Sequence, residues 1–394
     1  MQHTLNKRKS TISCCLAGIV TCTLLVLVTN TAAFGQDRVI AGNSPAGDKE
    51  DLQPSFPQAM VDRPGEASCC DLGGWSCCHP QWTAAADFII LDRVGTVPYA
   101  LVETVPHSVK YKDLPKTAGT VMLNATDLQE GFSGGPQLDL IHHGDDGTDL
   151  EVSYFQIDGW NDARCIGPFL GPDGKATDWL VMRAPGNFLQ TQNADDQSMT
   201  WDYASRLYNA EVNIRRNLGP RVTVLAGFRW INLAEGLEGI LLPPSPHGTG
   251  SFWDAQTRNN LYGFQMGMDA KLLERNRFSI DSVLKVGIFD DHADETSSVR
   301  MERIQFGESD ATNGLAFVGQ LGVRCKYQVT QRLSLKVGYE LIWLQGVALA
   351  PGQISDTYCH GATLPQDTSV QALGVNCSSG IFYHGATAGL EYSF

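Results

Sequence analysis

The feature that most constrains this chain is a period-two alternation of apolar and polar side chains over long segments. In one segment Leu335, Val337 and Tyr339 occupy alternate positions, and Lys336 and Glu340 fall on the other positions. Successive side chains of a β-strand point to opposite faces, so such a segment has one apolar and one charged face. The alternation predicts an all-β protein with ten strands, near residues 82–92, 133–142, 148–158, 200–216, 221–235, 259–273, 277–290, 312–328, 332–346 and 381–394.

Strand length and connection length favour a membrane barrel over a soluble sandwich. Several predicted strands run for about 13–17 residues, whereas strands of soluble sheets usually have about five or six. The connections alternate between short turns near 144–147, 218–220, 274–276 and 330–331 and long segments near 93–132, 159–199, 236–258, 291–311 and 347–380. Outer-membrane barrels place short turns in the periplasm and long loops outside. Residues 82–394 are expected to form an antiparallel transmembrane up-and-down β-barrel of about 10 strands (8–12). A secreted soluble β-protein is the alternative.

The start of the chain is typical of an exported protein. Basic residues at Lys7, Arg8 and Lys9 precede an apolar stretch over 12–28, and small residues follow up to Gly35. This order predicts a secretory signal peptide over residues 1–35. Residues 36–81 are rich in Pro, Gly and Cys and have little apolar periodicity, which predicts a disordered periplasmic arm.

The end of the chain carries a candidate barrel signal. Phe394, Tyr392 and Leu390 alternate with polar residues up to the last position. A barrel closes through its terminal strand, which leaves no unpaired edge in lipid. The segment resembles the C-terminal signature of bacterial outer-membrane proteins, and the resemblance implies that the barrel-insertion machinery reads these residues.

Two stretches resemble a known group of proteins. They are the run Cys77-Cys78-His79-Pro80-Gln81-Trp82, which leads into the first strand, and the final segment 389–394. Both resemble the BBP-type outer-membrane β-barrel porin families of bacteria, and the resemblance covers residues 70–394 through pattern more than identical motifs. It implies a barrel in the outer membrane and says little about cargo.

The polar faces of the strands supply the candidate site. If the apolar faces contact lipid, twelve charged residues point into the barrel: Asp87, Glu211, Arg229, Asp269, Lys271, Asp281, Lys285, Arg324, Lys326, Lys336, Glu340 and Glu391. Both signs are mixed, which favours compensating ion pairs over an ion-selective pore lining. Eight strands leave room only for side chains and wide channels need about 16. A structural or narrow-pore, porin-like role for small solutes is therefore expected.

The cysteines are candidates for crosslinks. Cys69, Cys70, Cys77 and Cys78 lie in the predicted arm, where disulfides, crosslinks to an envelope partner and a metal site all stay open. Cys359 and Cys377 share one predicted outer loop and are expected to form a disulfide. Cys325 is expected to be an inert buried thiol, and Cys165 has no evident mate.

An acidic segment at the predicted rim is the remaining candidate. Asp290, Asp291 and Asp294 flank His292, a set that suits a solvated loop, a calcium site or the Asp–His pair of an outer-membrane hydrolase. The solvated loop is favoured, so no catalytic residue, metal or cofactor is expected. The formal net charge of -14 argues against nucleic-acid binding. Outer-membrane lipid is the expected partner.

Overall fold

The computed structural model describes residues 80–95, 97–110, 118–128, 131–167, 170–174, 177–184, 188–190, 198–242, 251–301, 304–353, 357–360, 369–372 and 374–394. Within these ranges the elements are β1 (Trp82–Val94), β2 (Ala100–Pro106), β3 (Thr120–Asn124), a 3-10 turn (Ala125–Leu128), β4 (Phe132–His143), β5 (Thr148–Ile166), β6 (Asp178–Ala184), β7 (Phe188–Gln190), β8 (Ser198–Asn217), β9 (Val222–Leu242), β10 (Ser251–Arg275), β11 (Phe278–Met301), β12 (Ile304–Gln328), β13 (Leu333–Val347), α1 (Ala350–Gln353), β14 (Thr357–His360), β15 (Ser369–Ala372) and β16 (Ser379–Ser393). No helix among them is long and apolar enough to cross a bilayer. The predicted signal peptide and nearly all of the predicted arm lie outside the described residues.

Ten of these strands close an antiparallel barrel in the order β1-β16-β13-β12-β11-β10-β9-β8-β5-β4. Each predicted strand corresponds to one barrel strand, so the predicted fold class is confirmed. The barrel closes where β1 pairs with β16, for example Ala86 opposite Leu390. Because every strand has two neighbours in the ring, no backbone edge is left unpaired towards lipid.

The outer wall carries a belt of exposed apolar side chains next to the short turns. We call this surface the apolar belt. It spans Phe278–Ile288 on β11, Leu315–Tyr327 on β12 and Leu335–Trp343 on β13. On β11 this is about 11 residues, within the 9–11 that cross a bilayer when tilted. The wall therefore matches a hydrocarbon layer in both polarity and height.

Above the belt, on the side away from the short turns, the alternation inverts. On β11 His292 and Asp294 point outward, whereas Phe289, Asp291 and Ala293 point inward and are buried. The strands thus continue past the membrane with a polar outside and an apolar inside. The predicted loops 236–258 and 291–311 are wrong over most of their length, because β9 to β12 extend through them. The strand lengths were underestimated where the apolar residues changed sides.

Smaller sheets lie in the other long connections. Strands β3-β2-β6-β7 form a four-stranded sheet in the segments predicted as loops 93–132 and 159–199, and β14 pairs with β15 in the segment 347–380. Leu101 and Leu180 of the four-stranded sheet share an apolar cluster with Trp201, Leu237 and Trp253 of the barrel. The sheet therefore covers the inner face of the extended strands above the belt.

Candidate functional site

The lower interior of the barrel, at the level of the apolar belt, is filled by charged side chains. We call this set the ion-pair lattice. Lys285 Nζ lies 2.7 Å from Glu211 Oε2 and 3.8 Å from Glu151 Oε1. Arg229 Nε is 3.4 Å from Glu211 Oε1, and Arg215 pairs with both Glu151 and Asp269. Buried charges are tolerated when paired and hydrogen-bonded in this way.

The lattice continues across the strands that close the barrel. Lys336 Nζ lies 2.8 Å from Asp87 Oδ2, and Lys326 Nζ lies 2.9 Å from Glu391 Oε2. Arg324 reaches Glu340 at 3.4 Å. The lattice thus extends around the ring, and its longest contact, between Lys285 of β11 and Glu151 of β5, joins strands four places apart.

All twelve charged residues singled out in the sequence lie in or beside this lattice. Asp281 lies 4.0 Å from Lys326, and Lys271 borders the same cavity and pairs with Glu274. Sequence reasoning missed Asp139, Glu151 and Arg215. The sequence did carry a signal for Glu151, because this residue falls between Leu150 and Val152, which both face outward.

A cavity of about 250 Å³ remains within the lattice. Its lining includes the turn residues Gly219, Pro220 and Arg221, so it lies towards the short-turn end of the barrel. Short turns lie on the periplasmic side of outer-membrane barrels, so this end corresponds to the periplasm.

An apolar layer closes the interior above the lattice. It is formed by inward-facing side chains from around the ring, all nearly inaccessible to solvent: Ile89, Leu91, Phe155, Ile157, Leu207, Ile231, Leu233, Leu261, Phe289, Val318, Ile342, Leu344 and Ile381. Interiors packed in this way leave few voids larger than a water molecule. The sequence analysis did not foresee this layer.

The end of β13 and the first residues of the connection that follows it lie inside the barrel above the layer. We call Val347–Gln353 the plug segment, and each of its residues is buried. Asn259 of β10 bonds both the N–H and the carbonyl of Ala348, each at 2.7 Å. Glu235 accepts a hydrogen bond from the N–H of Ala350 at 3.2 Å and pairs with Arg93. The plug segment is thus held by buried polar contacts with the wall.

The acidic segment on β11 is divided between two faces. Asp290 and Asp294 point outward, whereas Asp291 points inward and is buried with both carboxylate oxygens lacking a hydrogen-bond partner. Burial, together with nearby Asp290, raises the pKa of Asp291 to about 7. The three carboxylates considered for a low-probability metal site are therefore not brought together, since strand neighbours alternate in direction. No cluster of metal-ligating side chains occurs among the described residues.

The Asp–His pair considered for hydrolysis lies on the outer wall. His292 Nε2 is 3.7 Å from Asp294 Oδ1, and its Nδ1 is 2.6 Å from Asn313 Oδ1. Both side chains are about half exposed and point away from the barrel mouth. They are therefore not placed in a cleft formed by facing loops.

The cysteines and terminal residues occupy distinct positions. Cys377 has a free thiol in the structure. The disulfide between Cys359 and Cys377 is therefore not shown and stays a prediction. The prediction of a buried thiol at Cys325 is wrong, because the apolar face of β12 looks outward and leaves that residue half-buried. Cys165 is exposed, and Cys69, Cys70, Cys77 and Cys78 lie outside the described residues.

Leu390, Tyr392 and Phe394 are exposed in the belt.

Comparison with known proteins decides the family. Residues 187–394, just over half of the chain, match the family model Putative beta barrel porin-7 (BBP7). The chain belongs to the BBP7 family. Membership confirms the resemblance noted from the sequence, and with the belt it places this BBP7 protein in the bacterial outer membrane. No curated protein matches the chain.

Solved structures of other outer-membrane barrels are similar in fold. The outer membrane protease OmpT from Escherichia coli has a TM-score of 0.42 at 10% identity, covering 79% of this chain and 96% of that chain. The toluene transporter TodX of P. putida has a TM-score of 0.32 at 11% identity, covering 80% and 90%. A FadL homologue from Pseudomonas aeruginosa has a TM-score of 0.21 at 9% identity, covering 79% and 90%. Likeness at this level carries no argument about activity.

Proposed function

We propose that this BBP7 barrel is a structural protein of the outer membrane that does not conduct solutes. The observation that carries the proposal is the apolar layer. Among the described residues, its side chains from around the ring are almost fully buried and pack together between the lower cavity and the outer mouth, which supports a barrier to water at this level. The plug segment closes the same route a second time.

The ion-pair lattice supports the same role. Its carboxylates and cations are close in number and contact one another rather than lining an open channel. A selective pore needs charges that face water and a passing ion. Paired charges instead link strands across the ring and specify a single register.

The role of the chain is proposed to be non-catalytic. His292 and Asp294 point towards the surroundings from one strand, and the hydrogen-bond partner of His292 is an amide, Asn313. A general-base pair needs a third group and a substrate pocket within hydrogen-bond reach. Replacing His292 with Ala and assaying peptide and phospholipid hydrolysis tests this point. Hydrolysis by the wild-type protein that is lost in the His292 variant would contradict a non-catalytic role.

Conductance in planar lipid bilayers tests the main proposal. Purified wild-type barrel is expected to show no discrete current steps after insertion, which is checked by its faster gel mobility before heating. Stepwise conductance by the wild-type protein would contradict the proposal and favour the narrow-pore, porin-like alternative.

A variant pair tests whether the layer is the barrier. Thinning it with Ile231→Ala, Leu261→Ala and Phe289→Ala, in a chain whose plug segment is loosened by Asn259→Ala, is expected to introduce an ionic leak. The variant and its control both carry Asn259→Ala. The matched control removes three outward-facing side chains on the same strands, by changing Phe228, Phe264 and Ile288 to Ala. This control is expected to stay silent, because those side chains face lipid.

A further inference from the structure

Two arginines on the outer wall form no ion pair among the described residues, although Arg258 is in register with Asp294 of β11. Arg206 of β8 and Arg258 of β10 face outward, and the strand register places each of them opposite Ala234 of β9. Among the described residues neither guanidinium takes part in an ion pair, and Nε of Arg206 is buried without a hydrogen-bond partner. Two unpaired cations therefore flank a methyl group on one row of the wall.

The wall between these arginines is concave. Ala204, Ala234 and Gly236 form its floor, because they have little or no side chain to fill the space between longer neighbours. The resulting groove has a volume of about 580 Å³, and Arg206 and Arg258 stand on its sides. It is large enough to receive a phosphate group and part of the molecule that carries it.

The groove lies just above the apolar belt. Trp230 pairs in register with Tyr262, and both arginines are two rows further from the short turns. A row is two residues, or about 6.6 Å along a strand, which at a tilt of about 40° gives about 5 Å of height. The backbone at each arginine is thus about 10 Å above the aromatic pair, beyond a headgroup layer of about 5–7 Å, and the long side chains meet the headgroups by reaching back towards the membrane. Arg206 also lies over the ring of Tyr208, 5.9 Å from its centre.

The carboxylates of the groove have other partners. Asp158 accepts a hydrogen bond from the Tyr208 hydroxyl, and Asp294 lies 3.7 Å from His292. The two guanidinium groups therefore stay available to an external anion. Guanidinium binds phosphate with paired, charge-assisted hydrogen bonds.

We propose that Arg206 and Arg258 form a binding site for the phosphate headgroup of an anionic lipid in the outer leaflet. Such a site would tie a lipid to the wall of the barrel and does not depend on whether the interior conducts.

Lipid preference of the folded chain tests this proposal. The barrel is reconstituted in nanodiscs of dioleoylphosphatidylcholine that contain dioleoylphosphatidic acid as the probe, and retained lipids are counted by native mass spectrometry. The wild-type protein is expected to retain phosphatidic acid about tenfold over phosphatidylcholine, since each arginine near a membrane surface contributes severalfold. The double variant Arg206→Gln/Arg258→Gln is expected to lose this preference.

Two further variants make the result specific. Arg164→Gln removes an exposed arginine on the inner face of β5, in register with Trp201, that already pairs with Asp162 at 3.3 Å, and this variant is expected to keep the preference. Arg206→Lys/Arg258→Lys keeps both charges and is expected to retain part of it, with folding checked by gel mobility before heating. Absence of any preference in the wild-type protein, or an equal loss in Arg164→Gln, would overturn the proposal.

Discussion

Removing the cation of the buried Arg93–Glu235 pair should destabilise the barrel strongly. The two side chains are 1% and 0% exposed, and no second cation lies within ion-pair distance of Glu235 among the described residues. Replacing Arg93 with Met leaves the Glu235 carboxylate buried without a counter-ion, a change that typically costs about 3–5 kcal/mol. Because Glu235 also binds the N–H of Ala350, part of this loss should appear as loosening of the plug segment.

The assay is urea unfolding of the barrel in lipid vesicles, followed by the gel mobility of unheated samples. The double variant Arg93→Met/Glu235→Gln removes both charges and is expected to recover most of the lost stability. The control Lys271→Met breaks the pair with Glu274, whose two side chains are 36% (Lys271) and 62% (Glu274) exposed. It should lower the free energy of unfolding by less than about 1 kcal/mol. The reasoning is refuted if Arg93→Met shifts the free energy of unfolding no more than Lys271→Met does.

Three further changes have expected outcomes. Gly319→Val places side-chain atoms where the Trp343 ring lies, so we expect a loss of about 1–3 kcal/mol and a shifted tryptophan emission; an unchanged spectrum would contradict the packing. Burial favours the neutral form of Asp291 and holds its pKa at about 7, so wild-type stability should fall by up to about 4 kcal/mol as pH rises from about 4 to 7. Asp291→Asn should abolish that part of the pH dependence in urea titrations. Asn259→Ala removes both bonds to Ala348 and should speed hydrogen exchange in the plug segment, whereas unchanged exchange would show that packing alone holds it.

Much of the membrane part of the fold could be predicted from the sequence. Between Phe278 and Ile288 the apolar residues fall on alternate positions except at Ser282 and Val283, so the strand, its lipid face and its inward Asp281 and Lys285 follow from one periodicity. The short turns could be located for the same reason, since the alternation breaks there. Neighbouring strands could be paired because short turns join consecutive antiparallel strands.

The extended part could not be predicted in this way, because the pattern changes phase. After Ile288 the next apolar residues are Phe289 and Ala293, which occupy the positions that were charged below. A strand that leaves hydrocarbon for water must move its apolar side chains from the outside to the inside, and the alternation then looks like the start of a loop. A search for such phase changes would have found the apolar layer. The plug segment has no comparable signal, since its contacts with Asn259 and Glu235 join residues far apart in the chain.

The same phase change also sets how deeply the protein sits. If the barrel sank by one row, the amides of Asn232 and Asn260 would enter hydrocarbon, and if it rose by one row, Phe264 and Ile288 would meet water. Either displacement carries a free-energy penalty around the whole circumference. The vertical position of the protein is thus encoded strand by strand, and a membrane of different thickness would have to deform around it.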